Sequence, residues 1–235
     1  MKLGIMQPYF FPYIGYWQLL NVVDKYVIYD DVNFIKGGWI NRNRILIDGK
    51  AVYFNIQMSG ASPYKLINQI QINNNEINIK KNIKTIYMAY HKAPYFSEVY
   101  PIIEEILKLQ TDNLSKYVIE SIKLITKFLN IETEILISSS IKKNNELKGE
   151  DKVIDICKLL KATKYYNAIG GKILYSFDKF NKNGIELVFL KSNNICYRQF
   201  NNEFVPNLSI IDVMMFNSKE KIKTFLDEYT IIEKD

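Results

Sequence analysis

Arginine, histidine and cysteine are scarce in this chain. Its 235 residues include one histidine, His91, two cysteines, Cys157 and Cys196, and three arginines, Arg42, Arg44 and Arg198. Two cysteines so far apart make neither a disulfide framework nor a thiolate metal site. With one histidine and no Cys-x-x-Cys, a structural zinc site is not expected. No apolar run approaches the length that spans a bilayer, and the first residues lead directly into a strand-like segment. Both observations point to a cytoplasmic protein without membrane insertion. The P-loop and the G-x-G-x-x-G fingerprint are missing, and no Ser/His/Asp triad can be assembled.

Lysine, isoleucine and asparagine are abundant instead. The net charge is +6, but the lysines are scattered and form no basic block, so nucleic acid is not an expected partner. With lysine so common, the three arginines carry information. They mark positions that want a planar, bidentate donor for phosphate or carboxylate, or that close internal ion pairs. Hydrophobic residues make up 48% and charged residues 24%, ordinary values for a globular chain. The expectation is one α/β domain over residues 1–235, with a helical subregion at about 79–130.

The stretch 6–44, MQPYFFPYIGYWQLLNVVDKYVIYDDVNFIKGGWINRNR, organises the rest. Lys2–Met6 reads as a buried strand that stops at Gln7-Pro8. A helix follows to about Val23, and Lys25–Tyr29 reads as a second strand with Asp30-Asp31 at its end. Strand, helix, strand is a βαβ unit, whose strands are parallel. In open α/β sheets ligands bind beyond the carboxyl ends of the strands, which places Gln7 and Asp30-Asp31 on one edge. The fold class expected is therefore α/β with an N-terminal βαβ unit, a mainly parallel sheet, an inserted hairpin and a helical middle section. The hairpin pairs 44–47 with 51–56 around Asp48-Gly49. Leu66–Ile72 alternates like a strand. Helical spacing covers 79–90, 95–109 and 114–129, the last capped by Thr111 or Asp112. Glu134–Ile137 reads as a strand, 142–149 as a polar loop, 150–160 as a helix, 164–169 as a strand, 173–180 as a short helix and 185–190 as a strand. Residues 208–217 and 219–229 read as helices.

Several groups could carry chemistry. Asp30-Asp31 could bind an amine or a metal, or act as a base; equally, one of them could cap the following turn. Asn41-Arg42-Asn43-Arg44 alternates, so the asparagines face one way and the arginines the other. His91 titrates near neutral pH and is the obvious base candidate, although the helix dipole also accounts for a histidine at a helix C-terminus. Gly170-Gly171 after a strand allows close backbone approach, with Tyr175 one turn on. Cys157 lies on an apolar stripe with Ile154 and Leu160. Cys196 lies beside Tyr197-Arg198-Gln199.

Five motifs resemble the WbqC-like family along nearly the whole chain: MQPYFFPYIGYWQLL (6–20), YDDVNFIKGGWINRNRI (29–45), AYHKAPYF (89–96), YYNAIGGKILY (165–175) and YRQFNNEFVPNLSIIDVMMFN (197–217). The resemblance implies an acyl (glycyl or aminoacyl) transferase acting on an amino sugar, nucleotide-linked, in O-antigen or other surface polysaccharide synthesis. In that role His91, Asp30 or Asp31 would be the base or would orient an ammonium. Arg42, Arg44 and Arg198 would hold phosphates, while Tyr9, Tyr13 and Trp39 would stack on a base or sugar. The Gly170 and Gly171 amides would serve an oxyanion. Gln7, Lys36, Asn41, Asn43, Tyr175, Gln199, Ser209 and Asp212 complete the expected binding set, with no metal ligand. The partners implied are a nucleotide sugar and an amino-acid donor, with an acyl carrier protein a further candidate. The donor would be an acyl thioester or, in a second reading, glycine adenylated with ATP and magnesium in a nucleotidyl-transfer or ligase-like fold. A third reading is a non-catalytic binding protein of the same pathway.

Overall fold

The computed structural model describes residues 1–201 and 203–234. Strand β1 (Lys2–Met6), helix α1 (Ile14–Val22) and strand β2 (Lys25–Ile28) form the expected βαβ unit, with Leu3 opposite Lys25 and Met6 opposite Ile28 in a parallel pair. Gly4 is required in β1 because a Cβ there would lie 2.9 Å from the Tyr26 ring. Helix α1 is buried nearly all round, which fits its apolar sequence and its place under other elements.

A long insertion follows. Strands β3 (Arg42–Ile47) and β4 (Lys50–Asn55) pair across Asp48-Gly49, whose φ values of +50° and +73° suit the left-handed turn that matches strand twist. The strand expected over Leu66–Ile72 is instead a 3₁₀ turn, Ile67–Gln69, followed by a two-residue strand β6 (Gln71–Ile72) paired with β5 (Met58–Ser59). The Gln69 side chain accepts from the Leu66 N–H at 3.0 Å and favours the turn over the extended form. Helices α2 (Glu76–Tyr90), α3 (Phe96–Leu107) and α4 (Leu114–Phe128) form the helical middle section. The α4 cap is Asn113, which accepts from Lys116 N at 3.0 Å, and not Thr111 or Asp112.

The chain then returns to the sheet with β7 (Glu134–Ile137), α5 (Gly149–Leu159), β8 (Lys164–Ala168), α6 (Phe177–Lys182) and β9 (Glu186–Ser192). The short helix expected at 173–180 begins four residues later, where Ser176 caps it. Helices α7 (Ile210–Phe216) and α8 (Lys219–Leu226) precede a last strand, β10 (Tyr229–Ile232). The expected final helix ends before Tyr229 because the β-branched run Thr230-Ile231-Ile232 pairs antiparallel with β9.

The strand order is β10-β9-β8-β1-β2-β7. Numbering only the five parallel strands along the chain, this is 5-4-1-2-3. The chain walks outward from β1 to β7, then crosses back to the other side of β1 and walks outward again. The sheet is doubly wound, and its switch point lies between β1 and β8. Apolar side chains fill both faces. Leu3, Ile5, Val27, Leu187 and Phe189 pack with α5 and α6 on one side. Tyr26, Ile28, Tyr166 and Val188 pack with α1 and the inserted helices on the other.

Candidate functional site

At the switch point, beyond the carboxyl ends of β1 and β8, lies a cavity of about 770 Å³. This volume is in the range that holds a small ligand. Ile5, Met6 and Gln7 come from the end of β1, and Asn167 to Gly171 from the end of β8. Tyr9, Tyr13, Tyr16, Tyr29, Trp39 and Tyr175 supply aromatic walls, and Arg44 is the one charged residue of the lining. A second cavity of about 330 Å³ adjoins it, sharing Tyr13, Ser192 and Asn207. A polar recess around Asp24, Glu132 and Lys223 lies instead where β2 and β7 begin, opposite the edge where ligands bind in such sheets.

The loop from Gln7 to Tyr13 is held in a strained shape. Phe11 has φ +42°, an unfavourable region for a bulky residue, with a cost of about 1–3 kcal/mol. Full burial of Phe10 and Phe11, about 1.5–3 kcal/mol each, offsets it. Hydrogen bonds fix the backbone as well. Asn43 Nδ2 donates to the carbonyls of Phe10 (3.2 Å) and Phe11 (2.9 Å), and Ser209 Oγ donates to Phe11 O (2.9 Å). Trp17 Nε1 donates to Pro12 O at 3.0 Å, and Tyr16 Oη to Gln7 O at 3.2 Å. Asn43 and Ser209 thus act by positioning the aromatic loop.

The asparagine–arginine alternation is realised. Asn41 and Asn43 are buried, while Arg42 and Arg44 are partly exposed. The two arginines then diverge. Arg42 donates to the carbonyls of Gly37 and Gly38 and lies 4.5 Å from the centre of the Tyr53 ring, so it shapes the glycine turn. Arg44 lines the cavity, donates from one terminal nitrogen to Asn207 O at 3.2 Å, and sits 5.9 Å from the Trp39 ring centre. Its buried Nε–H has no partner among the described residues. A buried donor left unpaired costs free energy, so a small movement of the Arg44 side chain toward an anion in the cavity would be favoured.

Gly170 and Gly171 form the opposite wall. A Cβ at Gly171 would lie 2.6 Å from Asn167 Oδ1, so glycine is needed for Asn167 to keep its place. Asn167 Nδ2 donates to the buried Tyr165 hydroxyl at 2.5 Å. Burial pushes the phenols of Tyr29 and Tyr175 above their ordinary value; the charge of Asp31 adds to the effect at Tyr29.

The two aspartates leave the same edge as Gln7, but neither lines the cavity. Asp30 is buried, with Oδ1 accepting from Ser139 N (2.9 Å) and Oδ2 from Ser139 Oγ (2.7 Å) and Asn68 Nδ2 (3.4 Å). Asp31 accepts from Ser138 Oγ at 2.6 Å and pairs with Lys143 (2.7 Å) and Lys152 (3.3 Å). Burial alone would raise the Asp31 carboxyl; the bonds from Lys143 and Ser138, and both lysine charges, outweigh it and hold the group below its ordinary value. Lys152 lies 5.5 Å from the centre of the Tyr29 ring, so this ion cluster backs the cavity wall.

The remaining expected residues sit elsewhere. His91 is exposed at the end of α2, stacked on Tyr87 with ring centres 5.3 Å apart, and its Nδ1 lies 3.2 Å from Tyr87 O. Arg198 is exposed and bonds Phe200 O and Asn201. Lys36 is exposed near the cavity rim. Gln199 and Asp212 belong to a buried network. Asp212 accepts from Tyr90 Oη (3.0 Å), Tyr197 Oη (2.6 Å) and Gln199 Nε2 (2.6 Å), and Gln199 also bonds both backbone groups of Val205. Burial raises the Asp212 carboxyl to about 6, against the lowering effect of those three donors. Cys157 is buried with its thiol pushed up to about 12, as its apolar stripe suggested.

Sequence reasoning missed Tyr29, Asn167, Ser192 and Asn207 as cavity residues, and Lys143 and Lys152 as partners of Asp31. Asn167 was findable: it stands at a strand end before Gly170-Gly171, by the same logic that singled out Gln7. Among the described residues no group of three or more His, Cys, Asp or Glu could hold a metal, and no helix is long and apolar enough to cross a membrane.

A doubly wound sheet with an aromatic cavity at its switch point makes this an open α/β protein, a class in which ligands bind beyond the carboxyl ends of the strands. The chain belongs to the WbqC-like protein family, whose sequence profile matches residues 7–224. It is similar to the uncharacterized protein Rv1507c of Mycobacterium tuberculosis (strain ATCC 25618 / H37Rv), 26% identical over 222 residues that cover 92% of this chain and 93% of that one. No solved structure matches the chain.

Proposed function

We propose that the chain holds a nucleotide-linked amino sugar in the switch-point cavity and transfers an aminoacyl group, glycyl in the simplest case, to the sugar amine. The product would enter O-antigen or another surface polysaccharide. One observation carries this reading: the cavity combines flat aromatic walls with a single guanidinium, and none of its lining residues is acidic. A diphosphate beside the Arg44 guanidinium meets no fixed negative charge in the lining. Tyr9, Tyr13 and Trp39 supply faces for a base or a sugar ring.

In the transfer, the free amine attacks the carbonyl carbon of an acyl thioester. The nitrogen–carbon bond forms, the carbon–sulfur bond breaks, and the ammonium proton goes to the leaving thiolate. No carboxylate or imidazole lines the cavity, so the reading assigns the rate enhancement to positioning and to donors for the oxyanion, for which the Gly170 and Gly171 amides are candidates.

A thermal-shift series with UDP- and dTDP-amino sugars, followed by mass detection of a glycylated sugar from glycyl-pantetheine, tests the proposal. The expected result is a raised midpoint with nucleotide sugars. Arg44→Lys should weaken binding about tenfold or more, and Arg42→Lys should leave it near the wild-type value. A response to ATP with magnesium and glycine, but to no nucleotide sugar, would overturn it in favour of adenylation.

A further inference from the structure

The mouth of the cavity has two protruding apolar lips. On one lip Ile35 and Trp39 are 53% and 38% exposed; on the other Leu174 is 65% exposed and its neighbour Ile173 is 92% exposed. Ile35, Trp39 and Leu174 also line the cavity, so these side chains frame its opening. Each lip carries a lysine next to its apolar tip. Lys36 follows Ile35 and Lys172 precedes Ile173; both are exposed, and neither forms an ion pair among the described residues. The acidic residues near the second lip are already engaged: Glu150 and Asp151 pair with Lys179, and Asp178 pairs with Lys234.

We propose that these lips dock the cavity mouth on an anionic lipid surface, with Ile35, Trp39, Ile173 and Leu174 entering the headgroup boundary and Lys36 and Lys172 meeting lipid phosphates. Aliphatic and indole side chains beside lysines are the chemistry of that boundary. The shape agrees. The side chains stand out from two separate loop tips, which suits a deformable surface better than a partner helix that needs a groove. The charge agrees too. A second copy placed face to face on the same patch would oppose lysines to lysines. The proposal rests on the cavity being the ligand site, but not on the transfer chemistry.

Sedimentation with vesicles of phosphatidylcholine, with and without phosphatidylglycerol, tests it. The wild-type protein is expected to sediment with the anionic vesicles and to be released as salt rises. Lys36→Ala and Lys172→Ala should each lower the partition by about fivefold. Ile173→Asp should abolish it, while leaving the thermal midpoint and the response to nucleotide sugars at wild-type values. Ile173 is not a lining residue, so loss of the sugar response alone tests the ligand reading and loss of vesicle binding alone tests this one. The proposal is overturned by no sedimentation at low salt, or by sedimentation that Ile173→Asp and the lysine variants leave unchanged. It is equally overturned if those variants abolish binding to an acidic carrier protein while vesicles are never bound.

Discussion

Replacing Asp212 by asparagine should change how stability depends on pH. The carboxyl is fully buried and receives three neutral donors, and burial lifts it from 3.8 to about 6. A folded-state value above the unfolded one means that, between those two pH values, the folded chain holds a proton the unfolded chain has released. Stability from this group is therefore present at low pH and is lost as pH rises through the window, which is opposite in sign to the usual carboxylate. At about 1.4 kcal/mol per pH unit, the whole window is worth on the order of 3 kcal/mol, of which about 2 kcal/mol falls between pH 4.5 and 7. Asparagine does not ionise, so Asp212→Asn should lack this slope. Its amide can still accept from Gln199 and donate to a tyrosine oxygen. Denaturant titrations of both proteins from pH 4.5 to 8 read the difference directly. Relative to wild type, the variant should gain about 2 kcal/mol between pH 4.5 and 7 and nothing further above. Asp31, lowered by its lysines, slopes the other way below its ordinary value, but it is common to both proteins and cancels. A wild-type-minus-variant difference that stays flat across this range would refute the reasoning, because a merely structural Asp212 would give a constant offset.

Three further outcomes are expected. Gly171→Ala should drive Asn167 off its position, lowering stability by about 1–3 kcal/mol and weakening nucleotide-sugar binding; calorimetry of binding and unfolding separates the two effects. Asn43→Ala leaves the Phe10 carbonyl without a side-chain donor and the Phe11 carbonyl with Ser209 alone, and should cost about 1–3 kcal/mol in thermal unfolding, with ligand affinity falling as the aromatic loop relaxes. His91→Ala should change stability by less than about 0.5 kcal/mol and leave ligand binding intact, since the ring lies exposed on Tyr87; a large loss of turnover with binding retained would return His91 to the chemistry.

Local signals in the sequence were good guides to local structure. Lys2–Met6, the following helix and the strand read over Lys25–Tyr29, which ends one residue earlier at Ile28, were legible from their apolar runs, and Asp48-Gly49 announced its hairpin. From the βαβ unit alone, the carboxyl-edge rule placed Gln7 at the end of β1, where it lines the cavity. Leu66–Ile72 misled because alternation over seven residues does not separate a strand from a 3₁₀ turn fixed by one glutamine. Adjacent residues of one motif proved hardest. Arg42 and Arg44 look alike in sequence, yet one ties down a turn and the other faces the cavity. Asp30 and Asp31 read as a pair, but each is claimed by partners more than a hundred residues later, Ser139 for one and Lys143 with Lys152 for the other. Nothing local encodes such partners; they come from where the insertion returns to the sheet.

That strand order also bears on how the chain is made. The central strand, β1, is made well before its second neighbour, β8, which begins at Lys164, and β2 waits for Glu134 to gain its outer partner. During synthesis the βαβ unit must persist with two unpaired edges and with Leu3, Ile5 and Val27 uncovered on one face. Parallel pairings across such separations close slowly and expose strand edges while they wait. The βαβ unit that frames the cavity is thus expected to wait, once made, for more than a hundred further residues before both its edges are paired, and to need protection by chaperones until then.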